Sequence, residues 1–418
     1  FDGARVFLKR KIMAGVERTA TRITGFKSAE MDFQLMRLLG AAGTGGSTAG
    51  EVFAARAHMV NNDPREWPGA FSSLADRLVK MADQNVKQGH LPAAASALLR
   101  AANYYRSSEY YSDPYGDEAL RFGQESRNAF IRAAGMLAHH IAAVDIPFEG
   151  HDLPGYFMQP VSGSADGRTV IIMTGFDGTG EELYFQSAAD ALSRGYNVLI
   201  AEGPGQVGCL RRYPHLLFRP DYEKPISAVI DYAVRHQKVA PERLALYGIS
   251  YGGYFASRAA AHDQRIRALI VNSPIIDLGA YMRGFAHLES DEVPPDEDVS
   301  LAEVDEVTEQ YMTQEIKLAF KSACRRFGVE RFSEWIDVLR DYRVENLAAI
   351  QCPSLALVGA GEGDEAFRQH ERFRQAVSGP VTSRVFEPEE GADMHCQLGN
   401  LPLSNAVIYN WLDNVFGK

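Results

Sequence analysis

The stretch LALYGISYGGYFASRAAAHD, residues 244–263, decides how this chain is read. It begins as a continuous apolar run ending in glycine, the form of a strand buried on both faces. It ends as GGYFASRAAAHD, which reads as a helix. Between them, Gly248-Ile249-Ser250-Tyr251-Gly252 fits G-x-S-x-G. Chance alone would place that pattern in roughly one chain in seven of this length at average residue usage, so its weight comes from its setting. Strand, sharp turn and helix form the setting of a nucleophile elbow. The serine there sits in a strained backbone conformation, and side chains at 248 and 252 would clash with the turned chain. The competing reading is a glycine-rich close contact of helix on sheet.

The same form recurs on either side. TVIIMTG (169–175), YNVLIAEGPG (196–205), ALIVNSP (268–274) and SLALVGAG (354–361) are apolar runs ending at or near small residues. Helical segments such as EELYFQSAADALSRG and YEKPISAVIDYAVRH lie between them. VDIPFEG and GYFMQPV, split by HDLP, read as an opening antiparallel hairpin. The alternation predicts an α/β fold with a doubly wound, mostly parallel sheet, whose core is residues 141–277 and 351–418. About 80 residues separate ALIVNSP from SLALVGAG, far more than one crossover helix needs. EVDEVTEQYMTQEIKLAFKSACRRF and RFSEWIDVLRDY in that gap read as helical, which predicts a cap insertion over 278–350 above the carboxyl ends of the strands. The acidic run 289–298 reads as a solvated loop.

Residues 1–140 carry helical periodicity and almost no strand signal. In FSSLADRLVKMADQNVKQ, the residues Phe71, Leu74, Leu78, Met81 and Asn85 form one stripe, and Gly89 ends the helix. Pro92 opens the next, AAASALLRAANYYR. Tyr104, Tyr105, Tyr110 and Tyr111 follow closely, either as packing aromatics or, for Tyr104 and Tyr105, as walls of a substrate cavity between domains.

The chain of 418 residues has 46% apolar and 23% charged residues and a net charge of −11. That balance argues against a nucleic-acid or anionic-membrane partner, which needs clustered Lys and Arg. There is no apolar run of about 18 residues to span a membrane. The visible start, FDGARVFLKRKIMAG, lacks an apolar core followed by a cleavage site. Cys209, Cys324, Cys352 and Cys396 are scattered without a C-x-x-C pair, so neither a disulfide framework nor a metal site is expected and a cytoplasmic location is.

A serine hydroxyl needs a base within reach to attack a carbonyl. Sheets of this kind supply serine, acid and histidine in that chain order. His395, in EEGADMHCQLGN, follows the strand-like SRVFEP and precedes a last helix, which is where the base should hang; His370 lies inside the helix FRQHERFRQAV. The acid should follow SLALVG, in AGEGDEAF, where Glu362 and Asp364 are both candidates for orienting the imidazole. Oxyanion donors are expected from the Tyr251 amide and from the glycine-rich turn TGFDGTGEE, through Phe176 or Asp177. Asp177 also suits a helix cap or a substrate contact. GPGQVG (203–208) lacks both G-x-G-x-x-G spacing and G-K-S/T, so it reads as a turn at the rim of the site rather than a nucleotide loop.

GISYGGYFASRAAA, TGFDGTGEE, the EGPGQ turn and GADMHCQ together resemble the α/β-hydrolases that carry an N-terminal helical domain. That group includes the 2,6-dihydropseudooxynicotine hydrolase and the fungal polyketide-shortening hydrolase of melanin formation, with FrsA-like and esterase relatives. The resemblance covers roughly residues 60 to 418. It implies Ser250 as nucleophile, His395 as base, Glu362 or Asp364 as the acid, and the Phe176 and Tyr251 amides as oxyanion donors. At the acid, GAGEGDE departs from a plain G-x-x-D. The resemblance further implies a cofactor-free hydrolase that cleaves a carbon–carbon bond next to a ketone, or an ester, in a small aromatic or polyketide-like carbonyl substrate. It implies a homodimer with the site between helical domain and core. Acyl transfer or cyclisation through the same acyl-enzyme, and a catalytically silent binding protein on this scaffold, are the alternatives.

Overall fold

Eight strands form one sheet in the order β1-β2-β4-β3-β5-β6-β7-β8. They are β1 His140–Phe148, β2 His151–Gln159, β3 Thr169–Met173, β4 Asn197–Ala201, β5 Leu244–Ile249, β6 Ala268–Asn272, β7 Ser354–Gly359 and β8 Val381–Phe386. The computed structural model from which they are taken describes residues 25–161, 166–285 and 298–417. The visible N-terminal stretch and nearly all of the acidic run 289–298 lie outside these residues. β1 and β2 pair antiparallel, β2 joins β4 antiparallel, and β3 to β8 run parallel. The central strands β3 to β7 are buried along their whole length, which is why their sequences are uninterrupted apolar runs rather than alternations.

The opening hairpin turns at Glu149 and Gly150, both at positive φ, as a tight two-residue hairpin loop requires. HDLP, expected to split the two strands, instead opens β2. Pro154 faces Asp145 across the ladder, and its carbonyl still accepts from the Glu202 amide.

Among the described residues, five α-helices precede the sheet: Ala29–Gly40, Ala49–Ala57, Trp67–Lys87, Leu91–Tyr110 and Asp117–Ala134. The expected stripe on Trp67–Lys87 drifts. Phe71, Leu74, Ala75, Leu78 and Ala82 are buried, whereas Met81 is 40% exposed. Ala82 takes the inner position because the Ala-rich helix Leu91–Tyr110 packs alongside, and only a methyl group fits at close approach. This helical layer shares one apolar core with one face of the sheet and with the last helix, Leu401–Phe416, while a second core fills the opposite face.

Between β6 and β7 lie the helices Leu278–Phe285, Gln314–Phe327 and Phe332–Leu339, which form the cap. The continuous helix expected over 303–327 is shorter. Val304–Glu306 is a single 3-10 turn, and the amides of Tyr311 and Met312 close back on the Thr308 carbonyl before the helix starts at Gln314. Among the described residues no helix is long and apolar enough to cross a membrane. All four cysteines are free.

Candidate active site

Ser250 is the hinge between β5 and the helix Tyr251–His262, at φ 59° and ψ −126°. That backbone region is costly for a residue with a side chain and persists only where its surroundings enforce it. Here they do. A Cβ on Gly248 would stand 1.9 Å from the Gly252 carbonyl, and one on Gly252 would stand 2.6 Å from the Met173 carbonyl. The glycines thus let the helix close on the strands, and the turn throws Ser250 outward.

Ser250 Oγ lies 2.9 Å from His395 Nε2, and His395 Nδ1 lies 2.6 Å from Glu362 Oε2. An ionised carboxylate can only accept, so Nδ1 carries the proton and Nε2 is left to accept from the serine hydroxyl. Glu362 is held in turn by the Ser273 hydroxyl at 2.5 Å and the Gly359 amide at 2.7 Å, while the Tyr281 hydroxyl lies 3.4 Å from both Glu362 and His395. Burial opposes ionisation of Glu362, but His395 and these donors outweigh it and keep its carboxyl below the usual range. For His395, burial opposes charging, and the Cys396 sulfur and the Glu362 carboxylate together raise the imidazolium above its ordinary value.

Glu362 reaches the relay because Ala360–Glu362 is a 3-10 turn that folds its carboxylate back onto the end of β7. Asp364, the other candidate acid, is exposed at the start of the helix Asp364–Ala376 and takes no part; its charge suits that helix N-terminus. His370 is turned to the sheet, with Nε2 at 3.3 Å from the Ala356 carbonyl.

The turn after β3 abuts the elbow: a Cβ on Gly175 would stand 2.7 Å from both Ser250 Cβ and the Tyr251 amide nitrogen. The Phe176 ring lies 5.3 Å from that of Tyr251. Gln206 fastens this turn to the next, donating to the Thr174 carbonyl at 2.6 Å and accepting from the Gly203 amide. So GPGQVG is a rim turn that also braces β3. The helix cap is Thr179 rather than Asp177. Asp177 pairs instead with Arg37 at 3.3 Å, and Glu182 receives both Nε and Nη2 of the same arginine at 2.5 Å. The helical layer therefore grips the turn beside Ser250 through a buried ion cluster.

Tyr104 and Tyr105 are not brought to the site. Tyr104 donates to Glu51 at 2.8 Å and Tyr105 to Asp76 at 2.5 Å, both within the helical layer, and no described contact links either to Ser250, His395 or Glu362. The residues missed from sequence are Ser273, Gln206 and Arg37. Ser273 and Gln206 could have been found, since Ser273 directly follows β6 in NSP and Gln206 lies five residues past β4 in EGPGQ, both motifs already singled out. Among the described residues no group of three or more His, Cys, Asp and Glu side chains could hold a metal ion.

A model of the prolyl oligopeptidase family matches residues 183–316. Over 424 residues the chain is 31% identical to hydrolase LUC6 of a Fusarium species, covering 94% of this chain and 98% of that one. The chain belongs to the α/β-hydrolases. This α/β-hydrolase is also 37% identical to α/β hydrolase xenA of Xenoacremonium sinensis over 257 residues, 59% of this chain and 60% of the other. Among solved structures it superposes on 2,6-dihydroxy-pseudo-oxynicotine hydrolase with TM-score 0.69 at 22% identity, over 90% of this chain and 95% of that one. At such identity the likeness is one of fold, and it extends through the helical layer.

Proposed function

We propose that this α/β-hydrolase is a serine hydrolase that works without a cofactor on a small carbonyl compound, aromatic or polyketide-like. It opens a carbon–carbon bond beside a ketone, or an ester. The observation that carries the reading is the relay from Ser250 through His395 to Glu362, at 2.9 and 2.6 Å. The names of its relatives as hydrolases agree with it.

In this reading His395 Nε2 takes the hydroxyl proton as Ser250 Oγ bonds to the carbonyl carbon. The Tyr251 amide and the Phe176 amide receive the oxyanion, and Glu362 stabilises the imidazolium. Collapse expels an alkoxide or a carbanion, which takes the proton from His395. A water then gives its proton to His395, attacks the acyl-enzyme and frees a carboxylic acid and the serine. One triad serves both bonds, because the leaving group differs only in whether carbon or oxygen accepts the proton.

The test is Ser250→Ala assayed on phenyl esters and β-diketones, with mass analysis of the products. The expected outcome is loss of turnover by a factor on the order of 10⁴ or more and, with the native chain, products carrying one added water. Undiminished turnover would overturn the nucleophile's role.

A further inference from the structure

The turn after β3 is where helical layer, sheet and cap meet, and its charges do not pair off. Arg37 takes Asp177 and Glu182. Among the described residues Arg106 has only Glu182 within ion-pair distance, shared and 3.7 Å away, and its three guanidinium nitrogens are sealed from solvent without a hydrogen-bond partner there. Arg326, 8% exposed, has no carboxylate of the described residues within ion-pair distance.

Arg326 stands in the last turn of the cap helix Gln314–Phe327, and its guanidinium lies 4.8 Å over the Phe176 ring. Nη1 donates to the Gly205 carbonyl and Nε to the Ser322 hydroxyl, both at 3.2 Å. Nη2 donates to no described group and, unlike the Arg106 nitrogens, is not sealed. The side chain therefore bridges the turns after β3 and β4, at the carboxyl ends of the strands where ligands of such sheets bind. A buried guanidinium with no carboxylate in contact is costly, and the more distant Asp177, Glu109 and Glu202 and stacking on one aromatic ring offset only part of that cost.

We propose that Arg326 binds an anionic oxygen of the substrate, a carboxylate or the enolate of a β-dicarbonyl, and so selects for acidic compounds. This rests on the hydrolase reading in that the anion belongs to the molecule whose carbonyl Ser250 attacks. Arg106, sealed among side chains, adds field but no contact. The Nη2 amino group, which donates to no described group, offers its N–H donors to either kind of oxygen.

The experiment is calorimetric binding to the Ser250→Ala protein, which carries out no chemistry through Ser250, with benzoylpropionate, benzoylacetone and the neutral butyrophenone as probes. At least one acidic probe is expected to bind about tenfold or more tightly than butyrophenone. An advantage confined to benzoylpropionate assigns a carboxylate; one shared by benzoylacetone assigns an enolate. Adding Arg326→Met brings the probes to parity, and Arg326→Lys, which keeps the charge, retains part of the advantage. Equal affinity for all three probes, binding of none, or an advantage that survives Arg326→Met overturns the proposal. Turnover surviving in Ser250→Ala would instead strike the hydrolase reading and leave this comparison intact.

Discussion

At the scale of single residues, His395 is governed by burial, by the adjacent Cys396 sulfur and by the Glu362 carboxylate at Nδ1. The Glu362 carboxylate favours the imidazolium, so the base is free only once pH exceeds its raised value. Replacing Glu362 by Gln removes that attraction. The acid limb of kcat/KM is then expected at lower pH than in the native chain, while the plateau falls by a factor on the order of 10⁴ through loss of the held tautomer. A pH–rate profile reads both, and an unmoved limb would show that Glu362 does not set the proton affinity. Ser273→Ala removes the donor 2.5 Å from Glu362 and is expected to cost about tenfold in kcat, with KM little changed. Asp364→Asn, outside the relay, is expected to leave both constants alone. From the sequence, Ser250 and His395 were legible because the fold delivers them in fixed chain order. The acid was not, since two carboxylates two positions apart compete and only the 3-10 turn after β7 decides between them.

At the scale of elements, the loops after β7 and before the last helix must touch for the relay to form. Gly359 permits this: a Cβ there would stand 2.1 Å from the Asp393 carbonyl, and the Gly361 amide donates to the same oxygen. Gly359→Ala is expected to push the His395 loop away, destabilising the fold by about 1–3 kcal/mol and lowering kcat well beyond what the loss of folded protein explains. Urea unfolding beside single-turnover kinetics separates the two. Strands were readable because burial on both faces writes itself as an unbroken apolar run. Helix details were less so. The segment expected as one helix over 181–195 contains a π-helical turn, Tyr184–Ala188, whose side chains are all buried. Met81 and Ala82 exchanged their expected places because a neighbouring helix, not periodicity, chose which residue faced inward.

For the whole molecule, the helical layer and the sheet are joined by ionic groups withdrawn from water. Removing one member of such a pair strands the other, so Arg37→Met is expected to destabilise the protein by about 3–5 kcal/mol. Adding Glu182→Gln should recover part of that loss, and denaturant melts of the two variants check it; a double variant no more stable than the single one would deny the coupling. The pairing was not legible in the chain, where Arg37 and Glu182 stand 145 residues apart and Arg37 lies in no motif. Glu181 and Glu182, in the first turn of a helix, suit its N-terminus on local grounds, and only the fold shows that they face arginines from the helical layer.

The cap is fastened on its far side as well. Lys321 of the helix Gln314–Phe327 sits 2.7 Å from Asp305 of the cap and 2.7 Å from Asp113 of the helical layer. Moving the cap away from the helical layer as a rigid body parts the Lys321–Asp113 contact and leaves Lys321 only its partner within the cap. Chimeras that graft this cap onto a foreign helical layer lose the latch unless the aspartate travels with it.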